Sequence, residues 1–313
     1  MISVVLCTHN PVPSVLDETL SALATQVGGV AIELLVVDNA SAAPLDHLVA
    51  AYPTLPLRVV REDQVGLTHA RLRGLRESTH DVILMVDDDN VLDPHYVAIV
   101  AAIFAADPSL GAIGGKSIPR FAAPPPSWFT IEEFSLGCRD LGDAPQTATW
   151  RGLAPADRFF PTCSPIGGGM AIKRAAFAGY AAALQGNADR SALDRRGQSL
   201  SSGGDNDMVL CTLEAGFGVG YFPELHLTHL IPAGRVQPDY LARYQHDSTK
   251  TWVEVLDLHG LSPWRPVGRA TLKLRKARAW VRLKAWQSPL QRIRWRGACG
   301  MLEGRATMKR QPA

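Results

Sequence analysis

From residue 1 to about 116, short β-branched apolar runs alternate with stretches whose apolar residues recur at helical spacing. The runs Ile2–Cys7, Ile32–Val37, Leu57–Val60, Val82–Val86 and Ala112–Gly115 are brief and continuous, as expected of strands covered on both faces. Between them, Ser14–Gln26, Leu45–Tyr52, Thr68–Ser78 and Pro94–Ala106 predict helices, the last with Asp93 as N-cap and proline at its first position. The alternation predicts an α/β fold with a doubly wound, mostly parallel sheet. Ligands of such sheets sit at the carboxyl ends of the strands, where Thr8-His9-Asn10, Asp38-Asn39 and Asp87-Asp88-Asp89 all fall.

After Lys116 the pattern breaks. Pro124-Pro125-Pro126 opens a turn-rich stretch to about Pro165, and Gly167-Gly168-Gly169-Met170 then predicts a tight turn into a strand. A Ser/Gly loop from Ser199 to Gly204 leads to Asp205-Asn206-Asp207, whose aspartates are placed to cap a helix over Met208–Ala215. No internal repeat is present. The reading divides the chain into 1–116, 117–264 and a tail over 265–313.

Charge makes the tail stand out. The whole chain carries +2, but residues 1–264 hold 18 Lys/Arg against 29 Asp/Glu, whereas 265–313 hold 14 against the single Glu303. Hydrophobic residues at 46% and charged residues at 20% suit a globular protein. No secretion signal is read ahead of Ile2, and no apolar stretch approaches the roughly 18 residues of a membrane span. The five scattered cysteines show no metal-ligand spacing and are expected to be reduced thiols. Together these features predict a cytoplasmic protein.

Three adjacent carboxylates, Asp87-Asp88-Asp89, repel one another at the end of an apolar strand and call for a cation nearby. A hard divalent ion, Mn²⁺ or Mg²⁺, suits oxygen ligands and bridges carboxylates to substrate phosphates. The alternative is a solvated loop whose aspartates cap the next helix.

With these residues in view, roughly residues 1–255 resemble the family 2 glycosyltransferases of GT-A fold. Asp87 and Asp89 match the two aspartates of that family's D-x-D motif, with Asp88 between them. The turn Cys7-Thr8-His9-Asn10 and the block Val36-Val37-Asp38-Asn39-Ala40-Ser41 resemble its first two nucleotide-contacting segments. Gly66-Leu67-Thr68-His69-Ala70-Arg71 resembles a third. The resemblance implies nucleotide contacts from Thr8, Asn10, Asp38, Arg71, Asp87 and Asp88, a metal held by Asp87 and Asp89, and a third metal ligand in His229. It also implies a catalytic base at Asp205, with Asp207 as the alternative. Here the sequence departs from the family, because Gly204 stands where a glutamate is usual. Gly168, Gly169, Met170 and Gly204 are expected to line the donor and acceptor pocket, the glycines letting a sugar approach the backbone.

The implied activity is inverting transfer of a sugar from a nucleotide-diphosphate donor to a hydroxyl of a glycan or lipid-linked acceptor. Two rivals stay open: a sugar-1-phosphate nucleotidyltransferase, which lacks its arginine-bearing phosphate loop here, and a non-catalytic protein on a decayed transferase fold. Gly114-Gly115-Lys116-Ser117 fails as a P-loop because Leu110 replaces the first glycine. Gln291-Arg292-Ile293-Arg294-Trp295 fits the Q-x-x-R-W of processive synthases but lies too far from Asp205.

Residues 269–296 interleave Arg/Lys with apolar side chains, with a break expected at Pro289. An apolar face can be drawn through Leu283, Trp286, Leu290 and Ile293. Such a segment suits the surface of an anionic membrane, which would make the protein peripheral on the inner face of the cytoplasmic membrane. Packing on an acidic surface of the catalytic domain is the other reading, and nucleic-acid binding is not expected, since no recognition motif is present.

Overall fold

The structure, a computed structural model, describes residues 1–308. In chain order the elements are β1 (Ile2–Thr8), α1 (Pro13–Ala24), β2 (Ile32–Asp38), α2 (His47–Ala51), β3 (Leu57–Arg61), α3 (Leu67–Glu77), β4 (Val82–Asp87), β5 (Asn90–Leu92), α4 (Tyr96–Ala106) and β6 (Leu110–Phe121). They continue with α5 (Ile131–Phe134), β7 (Gln146–Ala148), β8 (Ala171–Lys173), α6 (Arg174–Leu184), α7 (Ala188–Ser191), α8 (Gly204–Glu214), β9 (Gly218–Ile231), α9 (Pro238–Leu258), α10 (Leu272–Arg282) and α11 (Pro289–Thr307). Two compact units result, one of residues 1–120, 137–188 and 208–231 and the other of 121–136, 189–207 and 232–313. The sheet draws 137–188 into the first unit, and α10 and α11 join α9 in the second.

The first unit is built on a nine-stranded sheet of order β3-β2-β1-β4-β8-β6-β9-β5, with β7 on β9. All seven residues of β1 are buried, as a strand flanked on both sides requires. It runs parallel to β2 and β4, and β2 parallel to β3, whereas β8 is antiparallel to both β4 and β6. In this register Thr8 lies opposite Asp38 and Cys7 opposite Asp87, so the polar residues that close three separate strands end side by side. Helix α1 buries Leu16, Thr19, Leu20 and Leu23 at helical spacing against the sheet's apolar face of Val4, Leu6, Leu34 and Val36.

Two expected helix starts shift. Helix α4 begins at Tyr96 with His95 as its N-cap, because the Asp93 carboxylate is taken by His226 Nδ1 at 2.9 Å. Helix α8 begins at Gly204, a turn before Met208, which makes Asp205 and Asp207 first-turn residues instead of caps. Both still lie where carboxylates favour the positive end of the helix dipole.

In the second unit α11 lies along α9. Small residues permit the approach: a Cβ at Gly300 would sit 2.1 Å from His246 O, and one at Gly304 would sit 2.8 Å from Lys250 O. Pro289 does not interrupt a helix. It starts α11, where its missing N–H costs nothing, behind Ser288, whose side chain accepts from Gln291 N. The apolar face expected of the tail is therefore largely turned inward: Ile293 is fully buried, and Leu283 and Leu290 are half-buried. Arg294 pairs with Glu133 at 2.7 Å, and Lys276 with Glu303. All five cysteines are buried, and none forms a disulfide. No helix among the described residues is long and apolar enough to cross a membrane.

Candidate active site

At the end of β1, Asn10 adopts a left-handed conformation (φ 50°), and its side chain accepts from Ala42 N at 2.8 Å while its own N–H donates to Ser41 Oγ at 2.9 Å. The turn after β1 is thereby tied to the turn after β2. Asp38, buried at the close of β2, accepts from Ser41 N at 2.9 Å and from Arg61 Nη1 at 2.8 Å. Arg61 comes from β3 and was not singled out in the sequence. Only the parallel pairing of Asp38 with Arg61 reveals it. Asn39 stitches the next loop in place by donating to the carbonyls of Glu62 (3.0 Å) and Gln64 (2.9 Å) and accepting from Gly66 N (2.8 Å). That loop opens α3, which carries the buried Arg71.

The acidic triplet after β4 divides its work. Asp88 accepts from Thr8 Oγ1, and its carbonyl accepts from Thr19 Oγ1 at 3.1 Å, which ties the triplet to β1 and α1. Asp87 is half-buried, and its carboxylate faces Gly168: a Cβ at that glycine would lie 3.3 Å from Asp87 Oδ2 and 2.5 Å from Asn90 Oδ1. A side chain there would fill the space beside the carboxylate. Gly169 N donates to Met85 O at 2.9 Å, Met170 O accepts from Met85 N at 2.8 Å, and Tyr96 Oη donates to Gly169 O at 2.6 Å, so the glycine turn is fastened to β4.

Asp89 is buried and accepts from Asn90 Nδ2 at 3.1 Å. The antiparallel pairing of β5 with β9 sets His229 opposite Asn90, which brings His229 Nε2 to 3.3 Å from Asp89 Oδ2. Burial works against an imidazolium at this position, but the Asp89 carboxylate and Cys138, whose Sγ is 3.6 Å from Nδ1, outweigh it and push His229 up to about 9. Asp89 and His229 pair a carboxylate with an imidazole, ligand types that Mn²⁺ or Mg²⁺ accepts, the ion taking the place of the imidazolium proton. Asp87, Asp88 and Asp89 thus stand at the end of β4, with Gly168 beside Asp87 and His229 beside Asp89. His226, three residues earlier, points to Asp93 instead.

In the second unit, Asp205 is half-buried in the first turn of α8. Asp207 is completely buried and receives Arg190 Nε at 2.7 Å and Nη2 at 2.5 Å, with His259 Nε2 at 2.7 Å from Oδ1. Gly204 is not an empty position. A Cβ there would meet Asp194 Oδ2 at 2.3 Å, so a buried carboxylate from ten residues upstream occupies the space that a side chain at 204 would need. Asp194 carries no local motif and is found only through this contact.

The pattern of Glycosyl transferase family 2 matches residues 3–178. Among sequence relatives, the glucosyl-dolichyl phosphate glucuronosyltransferase of Haloferax volcanii is 26% identical over 153 residues, covering 45% of this chain and 46% of that protein. An N-acetylglucosaminyltransferase of Bradyrhizobium diazoefficiens is 25% identical over 239 residues, covering 74% of this chain and 45% of the relative. The chain thus spans about half the length of these curated relatives. Among solved structures, residues 1–349 of S. aureus TarS in complex with UDP-GlcNAc align with a TM-score of 0.52 at 15% identity, over 97% of this chain and 90% of that one. The shared architecture is the GT-A fold.

Proposed function

The chain belongs to glycosyl transferase family 2, and on that footing we propose that it moves a sugar from a nucleotide-diphosphate donor to a hydroxyl of a glycan or lipid-linked acceptor, with inversion at the anomeric carbon. The observation that carries the reading is the contact of His229 with Asp89, two residues beyond Asp87, whose carboxylate faces Gly168. A cation held by these carboxylates would admit a diphosphate that they would otherwise repel. The UDP-GlcNAc complex of the fold relative agrees with a nucleotide-sugar donor.

In this mechanism the turns at Thr8–Asn10 and Asp38–Ser41 hold the nucleoside, and Arg71 serves the nucleotide. Asp87 and Asp89, with His229, would hold a divalent cation, whose charge when bound offsets that of the departing diphosphate. Gly168 leaves the Asp87 carboxylate uncovered toward the sugar, whereas at Gly169 the place of a side chain is taken by Leu227 and Tyr96. Asp205 accepts the proton of the acceptor hydroxyl as its oxygen forms the bond to the anomeric carbon and the bond to the diphosphate breaks. Asp207, engaged by Arg190 and His259, anchors the first turn of α8 and takes no part in proton transfer.

A thermal-shift panel of nucleotide sugars with Mn²⁺ or Mg²⁺ identifies the donor. With that donor, Asp205→Asn is expected to lower turnover by about a hundredfold or more while the donor-induced shift persists, the ordinary scale for loss of a general base. Near-normal turnover of the variant overturns the assignment of the base.

A further inference from the structure

Packing of the tail leaves one apolar surface outside. On α10, the half-buried Leu272, Lys276, Ala279, Trp280 and Leu283 share the side toward α11, where Trp280 meets Trp295 edge-on at 4.7 Å and Trp295 Nε1 donates to Lys276 O at 3.1 Å. The opposite side presents Leu274 and Val281, 57% and 63% exposed and two turns apart, and Trp286 stands in the following loop at 58%. The inward apolar face of α10 is already satisfied, so among the described residues nothing in the second unit's packing accounts for these three.

Their surroundings are cationic. Lys273, Arg275, Arg278, Arg282 and Lys284 are all exposed beside them, and among the described residues none of the five makes an ion pair. No acidic residue occurs between Asp257 and Glu303. Against a polyphosphate alone, exposed Leu, Val and Trp would have no use. Against a lipid surface the combination is complementary, since apolar side chains enter the acyl boundary, tryptophan sits at the headgroup level and long basic side chains reach the phosphates.

We propose that the outer face of α10, formed by Leu274 and Val281, together with Trp286 of the following loop and framed by Lys273, Arg275, Arg278, Arg282 and Lys284, docks on the surface of an anionic lipid bilayer. It shares Trp286 with the face drawn through Leu283, Trp286, Leu290 and Ile293 by periodicity, but Leu274 and Val281 lie outside that face. The inference stands independently of the transferase reading: an active enzyme that ignores vesicles overturns it alone, and an inactive one that binds them leaves it intact.

The test is co-sedimentation of the full chain with vesicles of phosphatidylcholine alone or with about 30% phosphatidylglycerol, at roughly 0.1 M and 0.5 M salt. Binding is expected only with the anionic lipid and is weaker at the higher salt. A K273E/R278E/R282E variant should lose binding by about a hundredfold or more, at roughly fivefold per charge removed and more for reversal. An L274A/V281A/W286A variant should lose about tenfold or more, and both should melt like the parent because every altered side chain is exposed. A parent chain that stays in solution with anionic vesicles at low salt overturns the proposal. So does an alanine variant that binds as well as the parent while a single-stranded oligonucleotide displaces both, which identifies the surface as a nucleic-acid site.

Discussion

Substituting Gly204 by glutamate restores the residue usual in the family and tests what the structure has put in its place. Gly204 is not among the residues with positive φ, so the backbone accepts a side chain, and a glutamate in the first turn of a helix is electrostatically favoured. The obstacle is Asp194, whose Oδ2 would lie 2.3 Å from the new Cβ. Relieving that overlap costs about 1–3 kcal/mol by analogy with other overpacked sites. Placing a second carboxylate beside a buried one adds about 1–3 kcal/mol, since one of the two must take up a proton at neutral pH. Gly204→Glu is therefore expected to destabilise the protein by about 4 kcal/mol, roughly a 10 °C fall in melting temperature. Asp194→Ala alone leaves Arg195 N, now 2.9 Å from Asp194 Oδ1, without that acceptor and costs about 1–3 kcal/mol. In the D194A/G204E double variant the glutamate enters the vacated space, so the losses should not add, and a coupling of about 2 kcal/mol or more is expected. Differential scanning calorimetry of the four proteins gives the cycle, and turnover should recover in the double variant along with stability. If Gly204→Glu melts like the parent, or the double variant melts below both singles, Asp194 is not the replacement for the missing side chain.

Two further outcomes follow from buried charge. Arg190→Met removes the guanidinium partner of the fully buried Asp207 and should cost about 3 kcal/mol in denaturant unfolding, whereas R190M/D207L should recover most of that loss. If the single variant is neutral, the pair does not anchor α8. Glu33, at the start of β2, accepts from Ser3 Oγ at 2.7 Å, from Thr79 N and Oγ1 at 3.0 Å each and from Arg58 Nη2 at 3.3 Å. Burial raises its pKa, but these donors outweigh that and bring it from an ordinary 4.5 to about 2. The folded carboxyl thus holds its proton less tightly than the unfolded one, so its contribution is present above pH 4.5 and is lost as pH falls towards 2. Glu33→Gln should cost on the order of 2 kcal/mol at neutral pH and approach zero at the acid end of that window, as read from urea midpoints across pH. A cost that is constant with pH refutes the linkage.

Local pattern was enough to define the strands of the first half, because a buried parallel strand needs an uninterrupted apolar run and its polar end then marks the ligand-binding edge. Asp87, Asp89 and the Gly168–Met170 turn were visible for that reason: like charges in sequence and glycines without side chains are unusual wherever they occur. Register lay beyond reach of the sequence. That His229 meets Asp89 depends on β5 pairing with β9 across some 140 residues of chain, and the same uncertainty hid Arg61 behind Asp38. Capping was misread at Asp93 because a residue 133 positions away, His226, claims its carboxylate. Asp194 gave no sign of itself, since a carboxylate that fills another residue's empty place has no motif of its own. In the tail, composition and helical period were plain from the sequence, but which face points outward was decided by Gly300 and Gly304 letting α11 settle on α9. A helix has one periodicity whichever neighbour it meets, and only the neighbour determines which of its sides the solvent sees.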